Sequence, residues 1–196
     1  MIFSSPKILP TTSKQHSLAA SGNARVAEEA AHVLSEVLNA NVLYDRLLLR
    51  AAAGAGKSYV LKRLVNEATS NSNVSRIAVT AFTNKQVLPL ARDLGKALGK
   101  DRVCLFVAKD KVKDMAIDIL DAVTVVDDLG SIPASAEVIV ATIHKLRSYP
   151  PAKYTSTLGP SFNGDYPFDV LFVDEAWQVA HHLFDPVYDD RPATDL

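Results

Sequence analysis

The stretch Arg46 to Leu64, RLLLRAAAGAGKSYVLKRL, constrains this chain more than any other. It opens with a short apolar run, passes through Ala51-Ala52-Ala53-Gly54-Ala55-Gly56-Lys57-Ser58, and closes with apolar residues at helical spacing. That order predicts a strand, a small-residue loop and the start of a helix. A phosphate-binding loop asks for Gly, four free positions, then Gly-Lys-Ser/Thr. Ala51 stands at the first Gly, and Gly56-Lys57-Ser58 fit. Wrapping a polyanion in backbone N–H groups requires side chains no larger than Gly or Ala. Lys57 can then reach the outer phosphates, Ser58 can ligate Mg²⁺, and the positive end of the helix favours the anion. The plainer alternative is an Ala/Gly-rich helix start that happens to spell GKS.

Alternating strands and helices around this loop set the fold class. Apolar residues of Asn23 to Leu38 recur at three- and four-residue steps, which predicts a helix, preceded by an arm over residues 1–22 that lacks a periodic apolar face. No Asp or Glu precedes Glu28, a feature of organellar leaders, although the arm is poor in Arg and interrupted by Pro6 and Pro10. Strands are expected at Asp45–Arg50, Arg76–Thr80, Arg102–Ala108, Glu137–Thr142 and Asp169–Val173. Helices are expected at Lys57–Ala68, Lys85–Leu98, Asp110–Ala122, His144–Ser148 and Glu175–Phe184, with Asp127–Ser131 a turn and Pro150–Pro167 a long loop. The pattern predicts an α/β domain at 23–196, a mainly parallel sheet between two helical layers.

Composition narrows the partners. At 196 residues, 48% hydrophobic and 22% charged, the chain has the make-up of one ordinary globular domain. A net charge of −1 excludes a broadly basic nucleic-acid surface, so any such contact must be local or completed by a partner. No apolar run reaches bilayer length, so no membrane partner is expected. Cys104, the single cysteine, sits in the apolar run Val103 to Ala108 and reads as a core thiol, which with the rest favours an intracellular setting, cytoplasmic or nuclear. His181-His182 reads as a helix face, because no spaced Cys or acidic partner accompanies it.

The second half of a nucleotide site is also present. Phe168 to Glu175 is an apolar strand that ends in two carboxylates. Paired acids there suit a cation or a polar cleft: Asp174 for Mg²⁺, Glu175 for polarising water. Their structural alternative is capping the next helix, for which Asp is well suited.

Four segments in order then resemble superfamily 1 helicases. Asp174-Glu175-Ala176-Trp177-Gln178 is similar to their DEAxQ form of the Walker B motif, in the branch of the nonsense-mediated-decay type of RNA and DNA helicase, superfamily 1B-like. The Ala-led loop is similar to their AxAGxGKS/T Walker A form. Val79 to Lys85, with Phe82 where Pro is usual, resembles the TAPTNxA segment, and Val140 to Leu146 a strand-end motif of the form TxH. The resemblance covers about residues 45 to 180 and implies a first RecA-like motor domain, a three-layer P-loop NTPase. It implies ATP held by Ala51, Ala52, Ala53, Gly54, Ala55, Gly56, Lys57, Ser58 and Tyr59, with Mg²⁺ at Ser58 and Asp174. It assigns catalysis to Glu175 as base, Lys57, and Gln178 as γ-phosphate sensor, and a single-stranded DNA or RNA track to Thr80, Thr83, Asn84, Lys85, Thr142 and His144. Two of these have a rival helix-cap reading, Thr83 and Asn84, while His144 has one as a solvated loop residue.

The chain departs from the family in two ways. No upstream glutamine motif for adenine is found, Gln15 lying in the arm. The chain also ends at Leu196 before the GDxxQ motif and the second RecA-like domain, which supplies an arginine finger; the expectation is an amino-terminal half with little activity alone. A P-loop kinase or switch, and a nucleotide-binding module without turnover, are the alternatives.

Overall fold

The computed structural model describes residues 13–41, 47–49, 56–162 and 167–178. Within them lie helices α1 (Ser13–Leu38), α2 (Lys57–Thr69), α3 (Asn84–Leu98), α4 (Lys109–Val112), α5 (Ile117–Ala122), α6 (Ile143–Leu146) and α7 (Pro151–Leu158). The strands are β1 (Ile77–Ala81), β2 (Val103–Phe106), β3 (Thr124–Val126), β4 (Val138–Thr142) and β5 (Val170–Val173). They form one all-parallel sheet in the order β3-β2-β4-β1-β5.

Strand alternation sorts the core into two halves. Ile77 and Val79 of β1, Val103 and Leu105 of β2, and Val138 and Val140 of β4 face one cluster with Val65 of α2, Leu94 of α3 and Ile119 of α5. Ala78, Cys104, Phe106, Ile139 and Ala141 face the other, with Leu146 of α6, Tyr154 of α7 and Phe168. Helices thus cover both faces, which parallel strands require because each crossover must return over the sheet. Helix α1 lies outside α2 and contributes Ala27, Ala30 and Leu34 to the first cluster. Gly95 permits the close approach of α3 and α5, since a Cβ there would meet the Ala122 carbonyl oxygen at 2.1 Å.

Polar ties fix the ends. Asp169 accepts from the backbone N–H groups of Ser75 at 2.8 Å and Arg76 at 2.9 Å. The Arg76 guanidinium donates to the carbonyls of Leu158, Gly159 and Pro167 at 2.7, 3.0 and 3.1 Å, clamping the end of α7 to the start of β1. Tyr154 buries its ring and donates its hydroxyl to the Leu146 carbonyl at 2.8 Å. Burial pushes the Cys104 thiol up to about 12, which makes it the inert core thiol expected.

Several boundaries differ from the sequence expectation. Helix α1 begins at Ser13, not Asn23, so part of the expected arm is helical. Asp110–Ala122 is broken into α4 and α5, and β3 forms beyond it where no strand was expected. Pro150–Pro167 contains α7, whose Pro151 occupies the first turn, where a missing N–H costs least. The expected strand at 45–50 lies partly outside the described residues; its described part, Leu47 to Leu49, is exposed and belongs to no strand. An apolar run becomes a strand only where a neighbour takes up its backbone hydrogen bonds, and these three residues have no ladder partner among the described residues. Among the described residues no helix is long and apolar enough to cross a membrane.

Candidate nucleotide site and the carboxyl edge of the sheet

Parallel pairing brings the carboxyl ends of three strands side by side. Ala81 pairs with Thr142, and Thr80 with Val173, so the loops after β1, β4 and β5 open at one edge. Crevices at the carboxyl ends of parallel strands are where α/β sheets bind ligands. All the described candidate residues lie at or near this edge.

Ala51 to Ala55 fall outside the described residues, as do His181 and His182; Gly56 to Tyr59 are described. Gly56 caps α2 with φ 80°, a left-handed conformation that suits glycine and turns the chain sharply into the helix. Among the described residues no side chain caps this helix, and no acid occupies its first turn. Lys57 and Ser58 are the first two helical residues. Ser58 and Tyr59 are exposed.

Across from this start stands the end of β5. The Asp174 N–H donates to the Thr80 carbonyl at 2.8 Å, extending the ladder to the first acid. Glu175 follows with φ 51°, left-handed and strained for a side chain of its size, and its N–H donates to Asp174 Oδ1 at 3.0 Å. The turn aims Glu175 at the helix start, where its Oε1 meets Lys57 Nζ at 2.7 Å. Burial pushes the Asp174 carboxyl above the ordinary carboxylate range; the N–H of Glu175 and the charge of Lys57 pull it down, and the charge of Glu175 pushes it up. The structure therefore brings Lys57 and Glu175 into contact and leaves Asp174 as a desolvated carboxylate beside them.

A hydroxyl and a desolvated carboxylate are hard oxygen donors of the kind Mg²⁺ takes, and Mg²⁺ supplies its other positions from water and phosphates. Ser58 and Asp174 fit such an ion on this chemistry. Among the described residues no group of three or more His, Cys, Asp or Glu side chains could hold a metal unaided.

Gln178 ends a 3₁₀ turn, Ala176–Gln178, just after the acids. Its Oε1 accepts from Gln86 Nε2 at 3.2 Å. The other end of the Gln86 amide closes a capping box, with Oε1 accepting from the Thr83 N–H at 3.0 Å and the Thr83 hydroxyl at 2.9 Å. Gln86 is not among the residues expected from sequence, yet its place three after Thr83 is the capping-box spacing and was the available signal.

The remaining expected residues divide. Thr83 is the cap of α3, and Asn84 and Lys85 open that helix, with Lys85 exposed. Thr142 caps α6, its hydroxyl accepting from the Lys145 N–H at 3.3 Å. His144 is exposed, and its ring meets Phe82 edge-on with centroids 5.3 Å apart. Thr80 departs from the expectation of a surface track: it is fully buried, because β1 lies between two strands and is covered on both faces, and its hydroxyl has no hydrogen-bond partner among the described residues.

Comparison with known proteins agrees with this geometry. The model of a protein family described as an AAA domain matches residues 34–190, most of the chain. The chain belongs to that family, and is thereby a P-loop domain for binding and hydrolysing ATP, which such domains usually take with Mg²⁺. No curated protein and no solved structure matches it significantly.

Proposed function

We propose that the chain is the first motor domain of a superfamily 1 helicase-like ATPase, which hydrolyses Mg-ATP and engages single-stranded nucleic acid at the carboxyl edge of its sheet. The observation that carries the reading is the 2.7 Å contact of Lys57 with Glu175, two residues distant in sequence that meet where a triphosphate would end.

The chemistry follows from that contact. Without nucleotide, Lys57 and Glu175 neutralise each other in a partly buried cleft. A γ-phosphate competes for Lys57 with more charge than one carboxylate carries, and frees Glu175. Glu175 then orients water and accepts its proton as the water oxygen bonds to the γ-phosphorus, while the bond from that phosphorus to the β,γ-bridging oxygen breaks. ADP and inorganic phosphate leave. Ser58 and Asp174 would hold Mg²⁺, which would supply neutralisation of developing phosphate charge. Gln178 lies one turn beyond Glu175, within the same 3₁₀ turn region, and is assigned to sensing the γ-phosphate. A second RecA-like domain is proposed as the source of an arginine finger, worth about 10³ to 10⁵ in rate.

The sole tryptophan, Trp177, neighbours both Glu175 and Gln178 in sequence and is a built-in reporter. Mg-ATP is expected to change its fluorescence, and Lys57→Ala to abolish the change. An unaltered signal together with no heat of nucleotide binding in calorimetry would remove the ATPase reading. For the nucleic-acid half, a labelled single strand is expected to bind weakly and with salt sensitivity, through Thr83, Asn84, Lys85, Thr142 and His144. Absence of binding, even with a second motor domain supplied, would remove the helicase reading and leave the ATPase.

A further inference from the structure

The bond between Gln86 and Gln178 has a direction, and the backbone sets it. Gln86 Oε1 accepts from the Thr83 N–H at 3.0 Å and from the Thr83 hydroxyl at 2.9 Å. A backbone N–H only donates, so the end of the Gln86 amide that faces it is oxygen and the end turned to Gln178 is nitrogen. An amide nitrogen also only donates. The end of the Gln178 amide that meets it at 3.2 Å is therefore oxygen, and the Gln178 Nε2 is left for another acceptor. Thr83 thus fixes, through one intervening side chain, which way round Gln178 stands.

The choice matters because phosphate oxygens accept hydrogen bonds. A Gln178 that presents its N–H groups can bond a γ-phosphate, whereas one that presents its oxygen would repel it. Pairing of Thr80 with Val173 sets the turns after β1 and β5 side by side, with Gln86 six residues beyond the one and Gln178 five beyond the other. The Gln178 N–H donates to the Glu175 carbonyl at 2.8 Å, which ties Gln178 to the residue that touches Lys57. Both amides are half-buried, and among the described residues the Gln178 Nε2 has no partner. The cap of α3 does not require this tie, since Thr83 uses only the Gln86 oxygen and a glutamate would serve it equally. The TAPTNxA pattern does not supply it either, because its last position, held here by Gln86, is alanine.

We propose that Gln86 is a positioning residue for the nucleotide reaction: it sets the orientation of the Gln178 amide, so that Gln178 stands as a hydrogen-bond donor for the third phosphate before ATP arrives. The proposal rests on the γ-phosphate role assigned to Gln178 above and adds the element that makes the site prefer a triphosphate to a diphosphate. A donor set in advance needs no reordering on binding.

The test measures, by calorimetry on the full chain with Mg²⁺, the affinities of ADP and of the slowly hydrolysed β,γ-imido analogue of ATP. Gln86→Glu keeps an oxygen for Thr83, and with it the cap, but at neutral pH offers Gln178 no N–H and draws the Gln178 nitrogen to itself. The preference for the triphosphate is expected to fall by roughly ten- to a hundredfold, the worth of one hydrogen bond to a charged group, while the ADP affinity and the thermal melt stay at the parent's. Gln178→Ala should lower the preference to a similar extent. Adding Gln86→Glu to Gln178→Ala should then change nothing more, because Gln86 acts through Gln178. The proposal is overturned if Gln178→Ala lowers the preference and Gln86→Glu does not, which would leave the tie a brace for α3 and the sensing role intact. It is also overturned if Gln86→Glu has its full effect in the Gln178→Ala background, where only the added charge could act. If Gln178→Ala keeps the parent's preference, or the parent binds neither nucleotide, the role of Gln178 fails and the proposal fails with it.

Discussion

β1 and β5 are adjacent parallel strands of similar apolar spelling, Ile-Ala-Val-Thr-Ala and Val-Leu-Phe-Val, yet every residue of the first is buried and every residue of the second is only partly so. β1 has a strand on each side and helices on both faces, whereas in the described sheet β5 is an edge with β1 as its one neighbour. The strand that holds the fold carries no charge, and the strand that carries the acids is the less enclosed.

The largest expected effect tests that contrast directly. Ile77→Ala should destabilise the fold by about 2–5 kcal/mol, as large-to-small changes in closed cores do, whereas Phe172→Ala in β5 should cost about half as much despite removing a larger side chain. Urea unfolding monitored by circular dichroism would measure both, and equal losses would erase the distinction. Next in size, Gln86→Ala removes one half of the capping box on α3 and should cost about 1 kcal/mol, with Mg-ATP binding still measurable.

The smallest effect has the opposite sign. Burial raises the Asp174 carboxyl above its ordinary range, so the folded chain holds that proton more tightly than the unfolded one. Its contribution to stability is complete below the ordinary carboxylate range and is lost as pH rises through the raised value. Asp174→Asn escapes that loss. Its melting temperature should therefore lie slightly above the parent's at neutral pH, and the gap should close on acidification below the ordinary carboxylate range. The same variant should weaken the Mg²⁺ dependence of nucleotide binding. A melting temperature below the parent's at neutral pH would mean that Asp174 stabilises its surroundings as a carboxylate.

How much of this was legible in the sequence depends on period and contact. Val79, Leu94 and Val140 announce their elements because a period of two or of three to four residues survives any packing. β3 is three residues long and follows the helical spacing of Ile117 to Ala122 so closely that the two patterns merge. α7 is spelled in Pro, Thr, Ser and Tyr, residues of loops, and is held by the burial of Tyr154, a tertiary fact. At the site, the sequence pattern puts Lys57 at a helix start and Asp174 and Glu175 just past a strand end, and the structure brings the lysine and the glutamate together. Thr80 is buried because β1 is flanked by two strands and covered on both faces, which a motif's order along the chain does not tell. Phe82 with His144, and Gln86 with Gln178, depend on the pairing of β1 with β4 and β5, which adjacency in sequence cannot supply.

The Gln86 amide has one more consequence. Its oxygen holds the entrance of α3 and its nitrogen holds Gln178, so one planar group is committed at both ends. If Gln178 swings toward a γ-phosphate, the Gln86 N–H loses its acceptor and must follow, find water, or twist its own plane. Each of these loosens or re-aims the turn that carries Phe82 and Thr83. On the proposed sensing role of Gln178, a rigid amide would act as a short lever, by which the presence of a third phosphate would be felt at the entrance of α3.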